Sequence, residues 1–170
     1  MVACTCPSST NSGYSRTPTL CLFRFVTEEH KSDSMVCARA NTIVVADDFR
    51  PFRRFVRLML QENGFASVAE ASDGLEAVAK AADLHPDLIL LDIGMPNLDG
   101  IKAAEQIRSI APDTKILFVS ENTDPDTVQS ALSDGARGYL CKSELSSELF
   151  PAIEAVLGGK RFVSAALRRT

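Results

Sequence analysis

Residues 86–100 read Pro-Asp-Leu-Ile-Leu-Leu-Asp-Ile-Gly-Met-Pro-Asn-Leu-Asp-Gly. The apolar run Leu88–Leu91 does not alternate, which is the pattern of a strand buried on both faces inside a parallel sheet. It stops on a carboxylate, Asp92, and a loop constrained by Gly94 and Pro96 follows. Asp99-Gly100 then opens a run with helical spacing. A single Asp at a strand end is ordinarily a turn residue or an N-cap. Asp92 gains another meaning because other strand ends in this chain also finish on polar groups.

Upstream, Thr42–Ala46 is another buried strand and ends on Asp47-Asp48. A helix follows, with Pro51 in its first turn, an apolar face of Phe52, Phe55, Val56, Met59 and Leu60, and a stop at Asn63-Gly64. Arg50, Arg53, Arg54 and Arg57 read as its solvated side. A short strand over Ser67–Glu70 leads to a helix from Asp73-Gly74 to Leu84, with Leu75, Val78, Ala79 and Ala82 inward.

Downstream of Asp92, a helix spans Asp99–Ile110 with Ile101, Ala104 and Ile107 facing the core. Strand four, Lys115–Val119, ends on Ser120. Asp124-Pro125 opens a helix with a thin apolar face of Val128, Ala131 and Leu132, suited to a moving part. Gly135 and Gly138 bracket a turn into Tyr139-Leu140-Cys141, which ends on Lys142. The last helix starts near Ser146, carries Pro151 close to its first turn, presents Leu149, Ile153, Val156 and Leu157, and stops at Gly158-Gly159. Five strands alternating with five helices through short loops make an α/β fold, a doubly wound parallel sheet with helices on both faces.

The 170 residues suit one domain over residues 41–158, preceded by a Ser/Thr/Cys-rich extension over 1–40 that reads as disordered, and followed by a short tail over 159–170 in which Arg168-Arg169 fray. Met35 offers an alternative start. Hydrophobic residues make up 45% and charged residues 24%, ordinary for a soluble globular chain. The net charge of −4 falls on the later part, since residues 1–34 carry three basic and three acidic side chains; an acidic domain is a poor nucleic-acid binder. Five cysteines, Cys4, Cys6, Cys21, Cys37 and Cys141, form no disulfide framework and point to a reducing, cytoplasmic setting. No segment approaches the ~20 apolar residues of a membrane span. Residues 19–26 are too short, and too interrupted by Arg24, for a signal peptide.

In such a sheet, ligands bind beyond the carboxyl ends of the strands. Here those ends carry Asp47 and Asp48, Asp92, Ser120 and Lys142. Three neighbouring carboxylates need a counter-charge that one lysine does not supply. An all-oxygen set suits Mg²⁺, which keeps several waters and uses one or two carboxylates. Carboxylate, Mg²⁺, lysine and hydroxyl together make a phosphoryl-transfer set, with the carboxylate as nucleophile.

The pattern over roughly residues 41–158 resembles a response regulator receiver domain, the phospho-acceptor half of two-component signalling. The matching pieces are Val-Val-Ala-Asp47-Asp48, Leu-Leu-Asp92-Ile-Gly-Met-Pro-Asn-Leu-Asp-Gly, Val-Ser120 and Gly-Ala-Arg-Gly-Tyr139-Leu-Cys-Lys142. The wording around Lys142 and the closing Gly-Gly-Lys-Arg-Phe-Val-Ser resemble receivers that precede a helix-turn-helix, an output domain this sequence lacks. The resemblance implies a flavodoxin-like strand order 2-1-3-4-5. It implies that Asp92 accepts a phosphoryl group from a sensor histidine kinase or phosphotransfer protein. Asp48 would bind Mg²⁺ directly, Asp47 directly or through water, and the Gly94 carbonyl would be a further ligand. Lys142 would contact the phosphoryl group and Ser120 would turn toward it. Tyr139 would rotate inward, reshaping the surface of helix four, strand five and helix five for a homodimer or a downstream protein.

Two positions depart from the family pattern: Glu121 stands where a small residue usually leaves the site open, and Ser143 follows Lys142 in place of the frequent Pro. The expectation is a stand-alone receiver, a switch and not an enzyme. The alternatives are a phosphorylation-independent interaction module with Glu121 screening the pocket, and an aspartyl-phosphate phosphotransferase. Gly94 argues against the latter, since such enzymes resemble Asp-x-Asp at the nucleophile.

Overall fold

The computed structural model describes residues 39–133 and 135–168. They fall within the second of two compact units, Met35–Thr170. The expected extension, with Met35 and four of the five cysteines, lies outside the described residues up to residue 38, as does Arg169.

The elements run β1 (Arg39–Ala46), α1 (Arg50–Glu62), β2 (Phe65–Ala71), α2 (Gly74–Leu84), β3 (Leu88–Leu91), α3 (Gly100–Ile110), β4 (Lys115–Ser120), α4 (Pro125–Ser133), β5 (Gly138–Cys141), α5 (Leu145–Leu157) and β6 (Phe162–Val163). Every pairing is parallel and the sheet order is β2-β1-β3-β4-β5-β6. The order 2-1-3-4-5 therefore holds, with one strand added. β1 also starts two residues before the expected boundary at 41, because Arg39 already pairs with Phe65.

Successive strand residues serve opposite cores, as the pleat requires. Val44, Ile89, Leu91, Ile116, Phe118 and Tyr139 face the layer of α2, α3 and α4, where Ala77, Ala81, Ala104, Ile107 and Ala131 meet them. Ile43, Val45, Leu88, Leu90, Leu117 and Leu140 face α1 and α5, against Val56, Leu60, Leu149, Ile153 and Val156. Apolar layers on both sides explain why the central strands read as unbroken apolar runs.

Three helices differ from expectation in detail. α2 buries its small stripe, Gly74, Ala77 and Ala81, and leaves Leu75 55% exposed. Volume decided the phase: a Cβ on Gly74 would lie 2.1 Å from the Leu98 carbonyl oxygen, so this face is the one that can approach closely. In α1, Phe55 is turned outward and Arg53 inward, the reverse of the expected faces. Pro151 sits in the middle of α5 and not near its first turn; it is exposed, so the carbonyl that loses its donor faces water.

As far as it is described, through Arg168, the expected tail is held by hydrogen bonds to the domain. Phe162 donates its N–H to the Arg137 carbonyl (3.0 Å) and Ser164 to that of Tyr139 (2.9 Å). The Ser164 hydroxyl, fully buried, hydrogen-bonds Glu148, whose other oxygen accepts the Ala165 N–H at 3.0 Å. Arg161 donates to the Leu132 carbonyl on α4 (3.1 Å), and Arg168 closes back on the Val163 carbonyl. Sequence period could not announce this segment, because two-residue strands have none. Replacing Glu148 with alanine leaves the Ser164 hydroxyl buried without its acceptor and should cost about 1–2 kcal/mol. Hydrogen exchange should show the Phe162 and Ser164 amides released while those of β4 stay protected.

Candidate functional site

The first residue beyond each central strand continues the ladder, and that is what gathers the site. Asp47 donates its N–H to the Ala71 carbonyl (3.1 Å) and Asp92 donates to that of Ala46 (2.9 Å). The two carboxylates therefore leave adjacent strands at the same level. With Asp48, each offers an oxygen within 4.8 Å of the others. Ser120 ends β4 opposite Cys141, and Lys142 follows directly on β5. Asp48, Asp92, Gly94, Ser120, Glu121 and Lys142 line one open cleft, walled by Phe49 and Phe52.

Lys142 is the counter-charge. Its ammonium lies 2.6 Å from Asp47 Oδ2 and 3.2 Å from Asp92 Oδ2, with the Phe52 ring centred 4.6 Å away. Asp47 is only 1% exposed, and Asp92 is buried too. Burial pushes the Asp47 carboxyl above its ordinary value, against the Lys142 ammonium and the Phe49 N–H that hold it down. Burial would lower Lys142, but Asp47 and Asp92 outweigh it and push its pKa up. The remaining oxygens are partly used: Asp47 Oδ1 accepts the Phe49 N–H and Asp92 Oδ1 the Ile93 N–H, both at 2.8 Å.

This donor set fits a hard divalent cation. All the donors are oxygens, three acids face one lysine, and Asp47 Oδ2 has its ion pair but no directed hydrogen bond. Asp48 is exposed at the mouth of the cluster.

The loop below Asp92 depends on close approach. A Cβ on Gly100 would fall 2.0 Å from the Asp92 carbonyl oxygen, so α3 begins directly against the Asp92 main chain. Asn97, at φ 64°, bonds Asp73 at the start of α2 (2.9 Å). Tyr139 is inward in this structure, fully buried, its hydroxyl donating to the Asn122 carbonyl at 2.6 Å. Asn122 in turn donates its N–H to Ser120 Oγ at 3.3 Å. Burial raises the Tyr139 pKa against a hydrogen bond with Ser120.

All seven expected residues thus lie in or beside the cleft. What sequence reasoning missed is Arg53. Its Nη1 donates to the carbonyls of Asp47 (2.6 Å) and Asp48 (3.2 Å), and its Nε lies 3.4 Å from Glu70 on β2. Among four arginines on one helix, nothing in the period marked this one.

Residues 43–154 match the family described as the response regulator receiver domain. The chain is 34% identical to the chemotaxis protein CheY of Bacillus subtilis over 69% of this chain and 98% of that protein. It is 40% identical to the transcriptional regulatory protein PdtaR of Mycobacterium tuberculosis over 72% of this chain, but spans only 60% of that protein. It spans 52% of the transcriptional regulatory protein DegU of Brevibacillus brevis. The crystal structure of a LuxR-family two-component response regulator from Aurantimonas superposes with a TM-score of 0.71 at 33% identity, covering 76% of this chain and 93% of that one.

Three substitutions test the geometry. Gly100→Ala should destabilise by roughly 2–3 kcal/mol, since the added carbon meets backbone and not a yielding side chain. Lys142→Met leaves the buried Asp47 carboxyl without its ion-pair partner, and should lower stability in EDTA by about 3 kcal/mol. Adding Asp47→Asn should recover much of that loss in urea titrations; simple additivity would contradict the coupling.

Proposed function

We propose that this chain, which belongs to the response regulator receiver domain family, is a phosphorylation-driven switch whose phospho-acceptor is Asp92. The supporting observation is the convergence of Asp92, Lys142 and two further carboxylates in one cleft with the Ser120 hydroxyl at its edge. The donor is a phosphohistidine on a sensor kinase or phosphotransfer protein. An Asp92 carboxylate oxygen forms the bond to phosphorus as the phosphorus–nitrogen bond breaks, and the electron pair leaves with the imidazole. Lys142, held between Asp47 and Asp92, meets the charge on the phosphoryl oxygens, and Ser120 donates a hydrogen bond to another of them. Asp47, Asp48, Asp92 and the Gly94 carbonyl would hold Mg²⁺, which when bound would supply charge neutralisation on the same oxygens.

The result is read at the surface of α4, β5 and α5, with Ser120 and Tyr139 as the link. In this chain that surface includes β6, which covers the outer edge of β5. A homodimer or downstream protein that uses it must accept or displace residues 162–168. The cytoplasm is the proposed setting, and no described helix is long and apolar enough to cross a membrane. Receiver domains are signalling domains, and turnover of a phosphate ester is not part of this reading.

A second reading, a phosphorylation-independent interaction module, is favoured by Glu121, an exposed carboxylate lining the cleft beside Lys142 and Phe52. Intact mass after incubation with acetyl phosphate and Mg²⁺ separates the two. A gain of one phosphoryl group, absent in Asp92→Ala and without Mg²⁺, is the expected result. If no group is gained, beryllofluoride binding would indicate a working pocket that Glu121 closes to small donors. No binding of beryllofluoride would favour the module.

A further inference from the structure

Asp47 is held by the Ala71 carbonyl, the Phe49 N–H and Lys142, but Asp48 beside it has little of its own to hold it. α1 starts without a side-chain cap at Phe49, and the Asp48 carboxylate has no hydrogen bond or ion pair among the described residues. Its position is therefore set by its main chain. The side chain that reaches this main chain is Arg53, the buried arginine of α1, whose Nη1 donates to both the Asp47 and the Asp48 carbonyl. The other side of the guanidinium faces Glu70, which pairs in register with Val45 on β1. One planar fork thus spans β2 and the loop, and two consecutive carbonyls on one nitrogen restrict rotation of the peptide between them.

We infer that Arg53 is a positioning residue for the divalent-cation site, setting the Asp47 and Asp48 carboxylates through their carbonyls. The inference rests on the reading of those carboxylates as metal ligands. The choice of atoms carries it. Toward the loop, Arg53 binds main-chain oxygens and neither carboxylate, so it orients both acids without consuming an oxygen a cation would use. Lys142 does the opposite, occupying Asp47 Oδ2 and Asp92 Oδ2. Arg57 supplies an internal comparison: its Nε holds the same Glu70 at 3.0 Å, and no hydrogen bond joins it to the loop.

The test is Mg²⁺ affinity, read by competition against the Mn²⁺ electron paramagnetic resonance signal, well below the melting temperature of every variant. Melting is followed separately in EDTA. Arg53→Met should weaken Mg²⁺ about tenfold, as loss of an outer-shell partner does. Arg53→Lys keeps one donor on the carbonyls and should recover part of that loss; it also serves if the methionine variant does not fold. Arg57→Met should lower the melting temperature with Mg²⁺ affinity unchanged. Wild-type affinity in both Arg53 variants overturns the inference, as does an equal loss in Arg57→Met. Absence of Mg²⁺ binding in the wild type overturns the metal-ligand reading and this inference with it.

Discussion

Three carboxylates within 4.8 Å of one another, two of them buried, are the constraint around which the fold is arranged. Left alone, such a group repels itself and pays the cost of leaving water. The sheet forces it together because Asp47 and Asp92 continue adjacent strands whose pairing is fixed by Val44 opposite Ile89 and Ala46 opposite Leu91. Lys142 relieves the repulsion from the far side, brought there by β5 two strands away. Burial and pairing oppose each other at both partners, and they resolve differently. Burial prevails at Asp47, and the two acids prevail at Lys142. An excess of negative charge remains, and it is this excess that makes the cluster receptive to a cation.

Close backbone approach supports the cluster from below. Gly100 lets α3 begin against the Asp92 carbonyl, and Gly74 lets α2 pack against the Leu98 carbonyl. Asn97 ties the same loop to the cap of α2. The loop after Asp92 is therefore clamped between two helix starts.

Much of this was legible in residue order. The strands at 42–46, 88–91 and 115–119 announce themselves because both faces are buried, and polar residues just past their ends announce the cleft. The helix faces were less legible wherever hydrophobicity and volume disagreed. Leu75 looks more like a core residue than Gly74 or Ala77, yet only the small stripe allows α2 its approach. Arg53 escaped because its role lies in bonds to carbonyls, which leave no trace in side-chain pattern. β6 escaped because a two-residue strand is recruited by the exposed edge of β5 and by Glu148, contacts distant in sequence.

β6 also gives the cleft a continuous route outward. Ser120 accepts from the Asn122 N–H, the Asn122 carbonyl accepts from the Tyr139 hydroxyl, and the Tyr139 carbonyl accepts from the Ser164 N–H. Contiguity by itself transmits nothing; an element with two discrete arrangements is needed. On the proposed reading α4 would be that element, since only Val128 and Ala131 are buried on it and Leu132 adds partial cover. Arg161 grips the end of α4 through the Leu132 carbonyl, and Leu167 packs on the same core layer. A shift of α4 would thus strain the closing segment at two points, while Glu148 on the well-buried α5 holds it at a third. The segment after Gly159 spans a weakly anchored helix and a firmly anchored one, which is where a change begun at Ser120 would be felt most.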